Sequence, residues 1–319
     1  MVPEAGFGLT LLPGRGLNQR RLNLANLRSA GALAGAGAAG FRVVARRRPA
    51  VVLAVGGYAA FAPAVSAAAL RRPLVVHEQN AHPGAVNRAV GRFARACAVS
   101  LPGTPLPRPV LTGNPVSPEF TRLDCSEAGR RAARERLGLP FDKLVLAAWG
   151  GSLGSRSINE TIRALVESWS GRDDLAVHHV IGRRDFPSWA PPAPGRVQYR
   201  AVEYEAAMSD VMLAADLAVC RAGGMTVAEL ALAGLPAVLV PLPIATDDHQ
   251  MANARALVEA GGALVIRDAE LGRGSLAALI EPLLEDPVRR ARMASSLSSM
   301  ARPDAAAEIA QLMETHALW

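Results

Sequence analysis

The chain has 319 residues, enough for two α/β domains with separate cores. Half of it is hydrophobic, a fifth is charged and aromatics make up 4%; the net charge of +7 is carried almost wholly by Arg, with Lys143 the one Lys. That balance fits an anionic membrane or a phosphorylated substrate. The absence of RNP-like patterns, zinc-finger spacings and aromatic-studded basic stripes argues against nucleic acid.

Residues 1–50 hold a Gly/Pro-rich start, then a Leu- and Ala-rich segment at 22–44 that can be helical, closed by Arg46, Arg47 and Arg48 before Pro49. No basic start followed by an apolar run marks a signal peptide, and the longest apolar stretches, 30–40 and 58–70, are too short or too broken to span a bilayer. Strands are predicted at 51–55 and 73–76. The first leads into Gly56-Gly57-Tyr58 and an Ala-rich helix to residue 70; the second ends in His77-Glu78-Gln79-Asn80. A helix over 84–95 and short elements up to Gly113-Asn114-Pro115 follow. A boundary falls at 116–123, after which Ser126 caps an Arg-rich helix to residue 137.

Residues 144–149 read as the first strand of a second domain, leading into the loop Gly150–Arg156 and a helix carrying Asn159. Further strands are predicted at 177–181, 197–200, 217–220, 237–240 and 263–266. The four prolines of 182–195 mark a surface loop, and 303–316 a last amphipathic helix. Strands alternating with helices give parallel, doubly wound sheets. The division expected is 1–117 with 302–319 against 118–301. The first domain begins in mid-pattern, short of an opening strand and Gly-rich turn, a βαβ unit of roughly 30 or more residues.

Within residues 216–241, a strand, the turn Arg221-Ala222-Gly223-Gly224 and a helix from about Thr226 to Gly234 form the strongest ligand signal. With Thr226 as cap, the free N–H groups and dipole of that first turn suit a phosphate, and Glu229, one turn in, suits a ribose. Ligands in such sheets lie beyond the carboxyl ends of the strands. Five places qualify: Gly56-Gly57-Tyr58, the 77–80 loop, 150–156, 221–229, and Asp247-Asp248-His249-Gln250 with Asn253. Cys97, Cys125 and Cys220 lie far apart without a CxxC, and no HxxxH or HxxEH pair occurs, so neither a disulfide frame nor a bound metal is expected.

Taken together, VGGYAAFAP, HEQNAHPGAVNR, TGNPVS, GGSLGSRSIN, RAGGMTVAELALAGLPAVLVPLP, DDHQMANA and RPDAA resemble the MurG-type transferases of glycosyltransferase family 28 over nearly the whole chain. The resemblance implies a GT-B fold, with an acceptor-binding N-terminal and a UDP-sugar-binding C-terminal domain. It also implies an inverting enzyme that moves N-acetylglucosamine from UDP-N-acetylglucosamine to the undecaprenyl-diphosphate-linked muramyl-pentapeptide, with no cofactor. The implied location is the cytoplasmic side of the cell membrane, as a peripheral protein.

By resemblance, Ser152 and Gly224-Met225-Thr226 hold the donor diphosphate, Glu229 the ribose, and Gln250 and Asn80 the sugar hydroxyls. His249 and Asn253 stand beside them, and Tyr204 and Glu205 border the uracil. His77, Gln79 and Asn159 are supporting residues. Glu78 and Tyr58 are candidates for the base; the competing readings are that Glu78 orients its loop and Tyr58 packs on the sheet. Arg46–Arg48, with Arg20, Arg21 and Arg42 around Leu22, Leu24, Leu27 and Phe41, either form a solvated face or rest on the anionic inner leaflet.

Four departures stand out. The family's opening GGTGGH loop, whose His is its favoured base, has no counterpart, which implies a misassigned start or a truncated gene. Ser117 replaces an Arg in GNPVR, Phe61 interrupts a small-residue loop, and Glu205 replaces an apolar residue. The expected activity of this form is therefore low. A non-catalytic binder of nucleotide sugars or lipid diphosphates is the rival function, and a sugar-nucleotide epimerase a third.

Overall fold

The computed structural model describes residues 2–12, 24–243 and 248–318, with side chains from residue 35 in the first helix onward. The sequence readings at Arg20, Arg21, Leu22 and Asp247, and the side chains of Leu24 and Leu27, lie outside the described residues.

The first half runs α1 (Leu24–Arg47), β1 (Val52–Ala54), α2 (Gly57–Ala69), β2 (Leu74–Glu78), α3 (Ala85–Gly91), β3 (Ala96–Val99) and β4 (Pro109–Leu111). These four strands form one parallel sheet in the order β1-β2-β3-β4. After α4 (Pro118–Thr121) and α5 (Glu127–Leu137), the second half continues through β5 (Leu144–Trp149), α6 (Arg156–Ser168), β6 (Leu175–Val180), β7 (Gln198–Val202), α7 (Met208–Ala214) and β8 (Leu217–Cys220). Then come α8 (Gly224–Ala233), β9 (Ala237–Leu239), α9 (His249–Glu259), β10 (Ala263–Val265), α10 (Arg273–Glu285), α11 (Pro287–Met300) and α12 (Ala305–His316). Its six strands are again all parallel, in the order β10-β9-β8-β5-β6-β7. The last helix returns to pack on β2 and β3 of the first sheet.

Every predicted strand is present within two residues; all but the polar edge strand at 198–202 are short apolar runs between turn residues. Alternate residues of β5 point to opposite faces: Val145, Ala147 and Trp149 join one core, while Leu146 and Ala148 join the other. A central strand buried on both faces is the expected state of a parallel sheet flanked by helices. Ser126 caps α5 as predicted, its Oγ accepting from the Gly129 N–H at 3.2 Å. None of the described helices is long and apolar enough to cross a membrane. Phe41, Arg42 and Arg46–Arg48 are exposed on α1 and just past its end.

Candidate functional site

Both sheets present their carboxyl ends to a shared cleft, and the loops there carry the residues singled out above. Helix α8 opens at Gly224, with Gly223 as its cap (φ −65°, ψ 150°) and no side chain completing the cap. This corrects the reading of Thr226 as cap: Thr226 lies inside the first turn. Without a capping side chain, the first N–H groups keep no intrahelical acceptor and add to the positive end of the helix dipole. An anion is the natural partner for that end.

A cavity of about 230 Å³ lies beside that turn, lined by Trp149, Ser152, Tyr204, Glu205, Thr226 and Glu229 among others. Four of the predicted donor-site residues, Ser152, Glu205, Thr226 and Glu229, thus meet in one place. Burial raises the Glu229 carboxyl above its ordinary value. Tyr204 is half exposed, with the Arg183 guanidinium 4.4 Å above its ring. Met225 projects outward, 39% exposed.

The two Gly turns are fastened to each other by Arg221, a residue the sequence reading placed in a turn without a role. Its guanidinium donates to the Val240 and Pro241 carbonyls, to Asp268 and to the hydroxyls of Ser155 and Ser157 at the start of α6. Arg221 therefore positions the turns, and its charge is already matched by Asp268.

On the other side of the cleft, Glu78 is buried and saturated. Its Oε1 accepts from the backbone and side-chain N–H groups of Asn80 at 3.0 and 3.2 Å. Its Oε2 accepts from the Gly84 N–H at 3.0 Å and from Asn87 at 2.8 Å. A general base must offer a lone pair to a substrate proton, and these four donors occupy both oxygens. The geometry fits loop-bracing, the competing reading of Glu78. Tyr58, the other candidate base, is 56% exposed on the first turn of α2.

His77 is buried between Gly113 O (3.2 Å from Nε2) and the Gln79 amide (3.4 Å from Nδ1), and burial lowers its pKa. Neutral, it bridges two loops. Gln79 donates to Val55 O at 3.2 Å.

Three amides join the halves. Asn253, fully buried on α9, donates to Asn80 Oδ1 and Ala222 O, both at 3.0 Å, and accepts from the Ala81 N–H at 2.8 Å. Asn114 donates to Gln79 O at 3.1 Å and to Gly224 O at 2.9 Å. The Asn80 amide thus has both ends bonded within the protein, to Glu78 and to Asn253. Asn114 stands in the TGNPVS motif, and a partner 110 residues away leaves no local trace of its bridging role in the sequence. Gln250 accepts from the Leu242 N–H at 2.9 Å, fixing the chain after β9, and His249 opens α9 beside it.

Where the halves touch, a Cβ added at Gly224 would stand 2.5 Å from Gln79 O and 3.2 Å from Asn80 Oδ1. Gly224→Ala is expected to wedge this contact at a cost of about 2 kcal/mol. Thermal unfolding should report that loss, and titration with UDP should report weaker binding.

Asn159, predicted as a supporting residue, lies in a buried chain the sequence did not reveal. Tyr199 OH is 3.0 Å from His179 Nδ1, His179 Nε2 is 3.0 Å from Asn159 Oδ1, and the Asn159 amide donates to Ile181 O at 2.9 Å. Burial holds His179 neutral, with its pKa lowered to about 3. A neutral ring suits one donor and one acceptor in that chain. The adjacent His178, also fully buried, has Nε2 3.7 Å from Glu205 of the cavity.

Comparison with known proteins agrees with this layout. The glycosyltransferase family 28 C-terminal domain matches residues 145–309, and the family's N-terminal domain matches 1–99. The transferase of Salinibacter ruber named "UDP-N-acetylglucosamine--N-acetylmuramyl-(pentapeptide) pyrophosphoryl-undecaprenol N-acetylglucosamine transferase" is 40% identical over 315 residues, covering 97% of this chain and 83% of its own. A protein of the same name from Nocardioides sp. is 39% identical over 318 residues, with 98% and 85% covered. Among solved structures, Acinetobacter baumannii MurG superposes with a TM-score of 0.81 at 25% identity, covering 98% of this chain and 87% of its own. The S. aureus MnaA–UDP structure shares the fold at a TM-score of 0.64 and 16% identity, covering 93% and 82%. The two facing parallel-sheet halves are those of the GT-B fold, and the chain belongs to glycosyltransferase family 28, among its MurG-type members.

Proposed function

We propose that this protein transfers N-acetylglucosamine from UDP-N-acetylglucosamine to the undecaprenyl-diphosphate-linked muramyl-pentapeptide, forming lipid II for peptidoglycan synthesis. The observation that carries this reading is the 230 Å³ cavity beside the uncapped start of α8, with Ser152, Thr226 and Glu229 around it. The diphosphate lies against the first turn of α8 and Ser152, and Glu229 accepts from the ribose. The uracil lies toward Tyr204 and Glu205. As the acceptor hydroxyl gives up its proton to water and bonds to the sugar C1 from the opposite side, the bond from C1 to the diphosphate oxygen breaks and charge builds on the departing UDP. The helix end and backbone N–H groups are fixed to receive that charge without reorganising. Inversion at C1 follows from the single displacement.

The same reading divides the chain into an acceptor domain, residues 1–117 with 302–319, and a donor domain, 118–301. It places the protein on the anionic inner leaflet of the cell membrane, through the exposed Phe41, Arg42 and Arg46–Arg48, in the service of cell-wall growth, cell shape and division. Incubation of the purified chain with UDP-N-acetylglucosamine and lipid-linked muramyl-pentapeptide should release UDP and lipid-linked disaccharide in equal amounts, at the low rate expected above. UDP binding in calorimetry with no disaccharide formed would leave a nucleotide-sugar binder in place of the transferase.

A further inference from the structure

At the opposite end of the first sheet from the cleft, beneath the amino ends of β2 and β3, lies a groove of about 740 Å³. Arg71, Arg72, Arg92, Arg95, Arg108 and His316 line it, and among the described residues no Asp or Glu does. Helices α2, α3 and α12 all end near here, and cations at helix C-termini offset the negative end of the dipole. That accounts for Arg108, whose Nη2 donates to Gly91 O at 3.3 Å and to Arg92 O at 2.9 Å. Among the described residues, the guanidiniums of Arg71, Arg72 and Arg95 have no hydrogen-bond or ion-pair partner. Arg92 lies 4.7 Å over the ring of Phe93, itself half exposed on the groove wall.

Arg71 carries a second, independent mark. It occupies the left-handed position that closes α2 (φ 53°), where the Arg71 N–H donates to Ala68 O and the Arg72 N–H to Ala67 O. That pattern is a Schellman motif, whose left-handed residue is most favourable as Gly. The same paired bonds close α5, α8 and α9, and there the left-handed residues are Gly138, Gly234 and Gly261. At α2 alone of these four the backbone accepts an unfavourable residue, and the side chain so placed lines the groove. Arg108 is also left-handed, at φ 50°.

We propose that this groove binds an anion carrying two or more phosphate groups, at a site separate from the nucleotide cavity. Guanidinium forks match phosphate oxygens two at a time, and three of them stand ready here. The groove is several times larger than a single phosphate needs, and among the described residues no carboxylate side chain lines it to oppose its positive potential.

The test uses the full chain, saturated with UDP so that the cleft is closed to competitors, and titrated with inorganic pyrophosphate. Binding heat is expected, weakened about tenfold by Arg71→Gly, the value of one charge-assisted bond. The double variant Arg72→Gln with Arg95→Gln is expected to lose about a hundredfold. Because Gly suits the left-handed position, Arg71→Gly should unfold at the same or a higher temperature and bind UDP unchanged. Flotation with phosphatidylglycerol or phosphatidylcholine vesicles identifies the source. Capture by the anionic vesicles that the variants abolish assigns the phosphates to a lipid headgroup. Pyrophosphate binding without capture assigns them to a soluble ligand. Pyrophosphate heat and vesicle capture both insensitive to the variants, or both absent, would overturn the proposal.

Discussion

Glu78→Ala is expected to destabilise the protein by on the order of 4 kcal/mol, enough to lower Tm by roughly 10 °C. The carboxylate takes four donors and is 3% exposed, so truncation strands the buried Asn87 amide away from water and takes the acceptor from the part-buried Gly84 N–H and Asn80 amide. An unsatisfied buried donor costs about 1–3 kcal/mol, and relaxation of the loop recovers part of the sum. Glu78→Gln should cost about half as much, because one oxygen still accepts while the new amide faces donors. Differential scanning calorimetry measures both. If Glu78→Gln instead keeps the wild-type Tm and abolishes transfer, Glu78 is the base and the bracing role fails.

Glu229→Ala is expected to weaken UDP binding by about 10- to 100-fold, the worth of hydrogen bonds from ribose hydroxyls to a carboxylate. Burial raises the Glu229 pKa above its ordinary 4.5, so the folded protein holds this proton more tightly than the unfolded chain does. Two consequences of opposite sense follow. Nucleotide affinity should decline as pH falls through that raised pKa, because protonation removes the charged acceptor. Stability of the unliganded protein should decline as pH rises from the unfolded pKa through the folded one, since the folded state then carries a penalised charge. Glu229→Gln should flatten both dependences and raise Tm at neutral pH while weakening UDP. Calorimetric titrations across pH, with matched unfolding curves, test the pair. Unchanged UDP affinity in the alanine variant would remove Glu229 from the nucleotide site.

The strands of the second sheet were legible because runs such as LVLAAW and LAVC are apolar throughout, the mark of strands covered on both faces. The cap at Ser126 and the stop at Gly234 were legible for local reasons, a side-chain acceptor and a left-handed turn. The cap at Gly223 was not, since Gly holds that position with backbone alone and Thr226 offered a more familiar signal. Strands β3 and β4 passed only as short elements: ACAV is small and Ala-rich, and PVL is three residues long with a Pro. The gathering of Ser152, Glu205, Thr226 and Glu229 could be anticipated from strand ends. What Asn80 does with its amide could not, because its partner Asn253 is 173 residues away. The His179 chain was hidden for a related reason: His179 is embedded in β6, which otherwise reads as apolar, and its partners come from α6 and β7.

The bonds made by Asn80, Asn114 and Asn253 link the two lobes through uncharged groups. Such a fastening has no proton to lose and no counterion to attract, so neither acidity nor dissolved salt has a direct grip on it. The lobes should therefore keep their mutual setting through swings of ionic conditions that would unlatch a clasp built from opposite charges.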